Sequence, residues 1–482
     1  MNKRIIFIGL AVVIALIGCK SNFKPKEAKY VFYFIGDGMG LAHVHLAENY
    51  LAEMSDGDYS QTRLNMFSME HLGLSKTHCQ NRLITGSAAA GTALSTGFKT
   101  SVNTIGMDET KSIPLNSIAK TIKSLGYKVG IMSTVSINHA TPAVFYANVP
   151  SRKDYYDIGM QGLDVGYDFL GGGGFHYDKG KSNDKESLTM LAREKGVQVI
   201  SKNDDFLKYS NKNEPVQFIH GRIDASANMP YDIDRNKDDL TLGQIVEKSI
   251  ELLDNPKGFF MMVEGGKIDW ASHSNDAATL VHDVLAFDDA IGVAIEFYKK
   301  HPENTLIVVC SDHETGGLGL GFADTKYQSN PSLLKNQRVS IDSLALVFNN
   351  YYKIKKDNAL FNEVLDTLNH YLGFGKEALV LDKAEIEQIK QSFQNVFVNK
   401  KTKDPEFNSF EFASVAVTIL NHKAGIGWTT TSHTSIVTGV FASGVNSELF
   451  AGFYDNIDVP RKIVKAMNIK HDFKIDSVNS RK

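Results

Sequence analysis

Ser87 stands in the stretch Ile84 to Gly97, after Gly86 and ahead of a run of residues with almost no side chain. That setting suits an exposed nucleophile: glycine permits a sharp turn, and the Ala-rich segment reads as a helix start whose free N–H groups favour an anion beside the hydroxyl. Ala88, Ala89, Ala90, Gly91 and Ala93 equally suit a helix packed closely on a sheet, so the segment alone does not decide between catalysis and packing.

A second set of residues could hold metal ions. Asp37, Glu264, Asp269 and Asp312 offer carboxylates, His273 and His313 offer imidazoles, and His433 in Thr431-Ser432-His433-Thr434 adds a third. Mixed Asp/His ligation suits Zn²⁺, whereas an oxygen set of Asp, Glu and Thr suits Mg²⁺. Asp269 and His273 are four apart, so one helical turn puts both on one ion. A single Asp-His pair at a strand end is more often a cap and a satisfied histidine. Seven such groups, nearly all at the ends of apolar runs, argue for metal binding.

These residues need a scaffold that brings distant strand ends together. Tyr30 to Ile35, Lys128 to Thr134, Phe259 to Val263 and Thr305 to Cys310 read as strands, each stopping at acids, histidines or glycines. Ala277, Leu280, Val284, Phe287, Ile291 and Ile295 recur at helical spacing and would face the sheet. The alternation predicts an α/β fold with a large, mostly parallel central sheet covered by helices on both faces, its ligands bound at the carboxyl ends of the strands. Gly171 to Gly174 lack the Lys-Ser/Thr ending of a P-loop and read as a turn.

The ordered motifs Gly36-Asp37-Gly38-Met39-Gly40, Ser87-Ala-Ala with Ser95-Thr96-Gly97, His139-Ala-Thr141-Pro142, Ser151-Arg152, Glu264-Gly-Gly-x-Ile-Asp269-x-x-x-His273 and Asp312-His313-Glu-Thr-Gly-Gly resemble those of the alkaline phosphatase family. The resemblance implies a phosphomonoesterase with a phosphoserine intermediate on Ser87, two zinc ions and one magnesium. It assigns Asp269, His273 and His433 to the first zinc, and Asp37, Asp312 and His313 to the second. Magnesium would take Asp37, Thr141 and Glu264, and Arg152 would hold the phosphate oxygens. His422 is a neighbouring imidazole near the His433 position. His139 and Trp270 resemble the His/Trp pairing of some bacterial members, in which the histidine contacts a magnesium-bound water. The family commonly carries Asp immediately before the nucleophile, where it restrains the arginine. Gly86 stands there in this chain, which predicts a mobile Arg152, weaker phosphate binding and faster product release.

The 482 residues allow one large domain with insertions, and a formal net charge of -3 gives no nucleic-acid footprint. Residues 1–19, with Lys3-Arg4, the apolar run Ile5 to Ile17 and Leu16-Ile17-Gly18-Cys19, resemble a bacterial lipoprotein signal peptide that would lipidate Cys19. Residues 20–28 read as a tether and 29–482 as one catalytic domain, with a helical insertion at about 327–425. Leu360, Val364, Leu368 and Tyr371 share one helical face there, and Asp382 with Glu385 forms a capping box before Ile386, Ile389, Phe393 and Phe397. A lid, a contact between the subunits of a homodimer and structural filler are all compatible with this region. Cys79 and Cys310 could form a disulfide, although Cys310 at the end of an apolar run reads as a buried thiol. The expected location is the cell envelope, lipid-anchored on its periplasmic or outer face, with small phosphate monoesters as substrates. A phosphodiesterase or sulfatase of the same superfamily, and a non-catalytic phosphate-binding lipoprotein, are the competing readings.

Overall fold

The computed structural model describes residues 26–55, 57–322, 325–400 and 407–474. Ten strands form one sheet: β1 (Tyr30–Gly36), β2 (His71–Lys76), β3 (Lys128–Ser133), β4 (Phe169–Gly172), β5 (Gln198–Ile200), β6 (Val216–Ile219), β7 (Phe259–Gly265), β8 (Thr305–Cys310), β9 (Thr438–Gly444) and β10 (Gly452–Asp455). Their spatial order is β10-β2-β9-β8-β1-β7-β3-β4-β6-β5. Only β9 pairs antiparallel, with β2 and β8, so the sheet is mostly parallel as expected.

The apolar runs are nearly unbroken because the sheet is buried on both faces. Phe32 and Phe34 of β1 join one core with Phe259, Met261, Val263 and the helix Ala277–Lys300. Val31, Tyr33 and Ile35 point the other way, into a core shared with Phe260, Met262 and Ala88. Of the residues expected to line the inner face of Ala277–Lys300, Ala277, Leu280, Val284, Phe287 and Ile291 are buried. Ile295 is only partly covered.

Register brings the chemistry together. In the parallel ladders Ile35 lies beside both Glu264 and Cys310, and Ser133 lies beside Glu264. The carboxyl ends of β3, β7, β1 and β8 therefore adjoin in that order, and the loop after each carries one part of the site.

Three expectations need correction. Gly171 and Gly172 end a buried strand instead of forming a turn. An added Cβ on Gly172 would meet Ser133 O at 2.0 Å, which explains a glycine there. Gly86 has φ -131 and ψ 161, extended geometry open to any residue, so no sharp glycine turn precedes Ser87. Cys79 and Cys310 are both free and buried, so the reading of Cys310 as a buried thiol holds. Ala28, placed in the tether, is buried and its N–H donates to Ala466 O at 3.0 Å.

The signal peptide, Cys19 and most of the tether lie outside the described residues. Between 327 and 425 the described chain forms the helices Ile341–Lys355, Phe361–Leu372, Lys383–Phe393 and Phe410–Lys423. Both hydrogen bonds of the Asp382/Glu385 capping box form, each 2.8 Å long. Val364, Leu368, Ile389, Phe393 and Phe397 extend the core of one sheet face, while Leu360 and Ile386 are exposed. No described helix is long and apolar enough to cross a membrane.

Candidate active site

Ser87 opens the helix Ser87–Thr96, every residue of which is buried, so the segment packs closely as one of its two readings had it. The helix N-terminus and the low-bulk run place the hydroxyl against the strand ends. Its Oγ lies 3.3 Å from His313 Nε2. That same nitrogen is 3.4 Å from Asp37 Oδ1 and 3.3 Å from Asp312 Oδ2.

Three clusters gather there, each with its ligand atoms within 4.8 Å of one another: Asp269, His273 and His433; Asp37, Asp312 and His313; and Asp37, His139 and Glu264. The first two coincide with the ligand sets implied by the resemblance. In the third, Thr141 joins through Oγ1, which donates to Asp37 Oδ2 at 3.4 Å. The helix Lys267–His273 carries Asp269 and His273 on one face, with Oδ2 and Nε2 3.4 Å apart. His433 arrives from a distant segment and stacks on His313 at 3.7 Å between ring centroids. His422 instead stacks on Phe322.

The ring orientations are those of metal ligands. His273 Nδ1 lies 2.6 Å from Thr431 O, and His433 Nδ1 lies 2.9 Å from Thr85 O, so each Nδ1–H donates to a carbonyl. Their Nε2 atoms then face each other at 3.1 Å. Two lone pairs at that distance require a proton or a cation between them. His313 has the same tautomer: its Nδ1 lies 3.3 Å from Thr315 Oγ1, which itself donates to Asp269 Oδ1 at 2.6 Å.

The carboxylates point the same way. Asp37 Oδ1, Asp312 Oδ2 and Glu264 Oε1 are buried without a hydrogen-bond donor. An unsatisfied buried anion is costly, and a bound cation would relieve it. Among the protein groups alone, burial pushes Asp37 well above the usual range, aided by the charge of Asp312. Burial likewise raises Glu264 to about 8 and, with Asp269 adding to it, Asp312 to about 7. Asp269 goes the other way: burial would raise it, but the hydrogen bond from His273 and the neighbouring imidazoles hold it well below the carboxylate range. Burial opposes protonation of His273, yet Asp269 prevails and lifts it to about 9. The residues present thus fit divalent cations.

Arg152 reaches the cluster from a loop tied down by its own N–H, which donates to Asn103 O at 2.9 Å. It lines a cavity of about 680 Å³ with Gly86, His273, His433, Arg82, Leu83 and other residues. Its side chain is not left unrestrained as Gly86 predicted: Nη2 donates to His139 Nε2 at 2.9 Å. Trp270 meets the His139 ring edge-on, with centroids 6.0 Å apart.

Sequence reasoning missed three supports. Ser133 donates to Glu264 Oε2. Thr315 joins Asp269 to His313, as described above. Gly38, at φ +69, passes so close that a Cβ would meet Asp269 Oδ1 and Thr315 Oγ1 at 2.7 Å each. Only Gly38 had a signal, a glycine beside a ligand in a tight loop.

Comparison with known proteins agrees with this geometry. A family model described as alkaline phosphatase matches residues 28–469. Alkaline phosphatase 3 of Bacillus subtilis (strain 168) is 33% identical over 469 residues, covering 94% of this chain and 92% of its own. The crystal structure of a cold-active alkaline phosphatase from the psychrophile Shewanella sp. has a TM-score of 0.76 and 30% identity, over 91% of this chain and 99% of its own. A His-to-Glu variant of TAB5 alkaline phosphatase, described with Mg bound in its M3 site, has a TM-score of 0.64 and 25% identity, over 93% and 100%.

Proposed function

The chain belongs to the alkaline phosphatase family and is a metal-binding phosphatase of that superfamily, and we propose that it hydrolyses small phosphate monoesters through a covalent phosphoserine on Ser87, using two zinc ions and one magnesium. Asp269, His273 and His433 would hold one zinc, Asp37, Asp312 and His313 the other, and Asp37, Thr141 and Glu264 the magnesium. When bound, these cations supply Lewis acidity that stabilises the serine alkoxide and the departing ester oxygen. The observation that carries the reading is the contact of Ser87 Oγ with the His313, Asp37 and Asp312 cluster.

The residues divide the remaining work. Ser87 Oγ attacks phosphorus in line, forming the Oγ–P bond as the P–O bond to the alcohol breaks, and the alcohol leaves with a proton. Water then attacks the phosphoserine from the vacated side, freeing phosphate and restoring the hydroxyl. Arg152 spends one N–H on His139 and keeps the rest of its guanidinium fork for two non-bridging phosphate oxygens. Charge neutralisation and positioning dominate because the phosphoryl transition state is largely dissociative.

Nitrophenyl mono- and diesters, assayed before chelation, after it, and after zinc and magnesium are restored, test the proposal. Monoester hydrolysis should dominate, vanish on chelation and return. Ser87→Ala should abolish the acid-trapped phosphopeptide detected by mass spectrometry. Monoesterase activity that survives both Ser87→Ala and complete metal removal would overturn the mechanism, and preferred diester hydrolysis would overturn the substrate class. The same proposal places the enzyme on a bacterial envelope, lipidated at Cys19. Palmitate labelling that persists in Cys19→Ser would refute that anchor. Its proposed homodimer is checked by sedimentation.

A further inference from the structure

The only side-chain hydrogen bond of Arg152 among the described residues runs from Nη2 to His139 Nε2, at 2.9 Å. Position 86, on the same cavity wall as Arg152, contributes no side chain. A Cβ added there would meet only Val102 Cγ2, at 3.7 Å, so the space beside the nucleophile is open. What restrains this arginine is a residue grouped with Asp37 and Glu264.

His139 is itself held on several sides. It is buried at the N-terminal cap of the short helix Ala140–Ala143, and its backbone N–H donates to Ser136 O at 2.8 Å. Trp270 packs edge-on against the ring, and Lys267 Nζ lies 4.8 Å from the Trp270 ring centroid. Hydrogen-bond chemistry then sets the proton. A guanidinium only donates, so Nε2 must accept, and the neutral ring carries its hydrogen on Nδ1. Nδ1 is buried without a partner, as are Asp37 Oδ1 and Glu264 Oε1 of the same cluster. With this tautomer Nδ1 cannot offer a lone pair to a cation; it can donate to a carboxylate or to a water bound in the cluster.

We propose that His139 is the positioning residue of the phosphate-binding arginine, fixing Arg152 through Nε2 while its Nδ1–H faces the Asp37 and Glu264 cluster. It performs from position 139 the restraint that Gly86 cannot supply. Because the tie is to a neutral ring, no carboxylate ion-paired with the guanidinium among the described residues competes with phosphate for it. The inference rests on the proposed role of Arg152 in holding phosphate.

A double-mutant cycle on the full, zinc- and magnesium-loaded chain tests it, with inorganic phosphate binding read by calorimetry in a Ser87→Ala background and metal content measured in every variant. His139→Ala should weaken phosphate binding about tenfold when Arg152 is present, in line with the loss of a charge-assisted hydrogen bond. The same change should cost less than about twofold in Arg152→Ala, since a positioning residue acts only through its partner. His139→Gln, which keeps an acceptor oxygen, should retain most of the affinity and covers failure of the alanine variant to fold. Gly86→Asp should restore part of what His139→Ala loses. Equal losses with and without Arg152, or a loss fully reversed by excess magnesium, would overturn the proposal and leave His139 acting through the metal cluster alone. Unimpaired phosphate binding in Arg152→Ala would instead overturn the role of the arginine on which the inference rests.

Discussion

At the scale of single residues, Asp37 is the acid with most to lose, because it is shared by two of the three clusters. Asp37→Asn should release metal from both and lower kcat/KM by at least about a thousandfold, whereas Asp269→Asn should empty one cluster; elemental analysis beside steady-state kinetics separates them. Thr315 stands outside the three clusters but links Asp269 to His313. Removing its hydroxyl in Thr315→Val should weaken metal affinity roughly 10- to 100-fold, the usual cost of losing an outer hydrogen bond to a ligand, measured by competition with a chromogenic chelator. A metal affinity unchanged from wild type would show that the hydroxyl is incidental.

At the scale of elements, the site is a product of strand ends and of the helices that hold them in register. Phe287, buried in the helix Ala277–Lys300, packs 5.7 Å centroid to centroid against Phe34 of β1, and a Cβ on Gly265 of β7 would meet its Cδ2 at 2.8 Å. One aromatic ring thus covers the two strands that deliver Asp37 and Glu264. Phe287→Ala should cost about 3–5 kcal/mol by the transfer and cavity terms, read from urea unfolding of the metal-loaded protein. A loss below about 1 kcal/mol would mean that the neighbouring side chains collapse into the gap. The four strands adjoining the site were legible from their apolar runs and matched to within two residues, because burial on both faces leaves an uninterrupted hydrophobic signal. Gly171 and Gly172 gave no such signal. Four consecutive glycines look like a turn, and only contact with the Ser133 carbonyl reveals a strand.

For the whole molecule, the site stores unfavourable charge that cations relieve. Asp37, Glu264 and Asp312 have raised pKa values in the folded protein, so after chelation they bind protons more tightly folded than unfolded. Their contribution is therefore fully stabilising below the unfolded carboxylate pKa of about 4 and is lost as pH rises, for Asp312 through about 7 and for Glu264 through about 8. Cations replace those protons, so metal affinity should increase across the same window. The difference in melting temperature between metal-loaded and chelated protein should widen from about pH 5 to about pH 8, and metal addition near neutral pH should release protons into unbuffered solution. A constant difference across that range would mean that the carboxyls are already ionised without metal.

The residue types that do the chemistry, and the strand ends that carry them, were determined by the sequence itself, since a carboxylate, an imidazole or a serine keeps its chemical character in any fold and hydrophobic runs report local burial. Motif resemblance supplied the ligand sets, and the tertiary structure brings those same residues together, with His433 chosen over His422. What only the folded chain decided were contacts that motif spacing does not reveal: Ser133 with Glu264 and Thr315 with Asp269, far apart in sequence, and Arg152 with His139, 13 residues apart. Each depends on how the connecting segments fold and on one rotamer, and the first also on strand register, to within a few tenths of an ångström. Hydrogen bonds fail beyond that tolerance, and spacing along a chain carries no information so fine. The arginine expected to be loose beside Gly86 is restrained for that reason, by a ring that the family resemblance had assigned to the magnesium site alone.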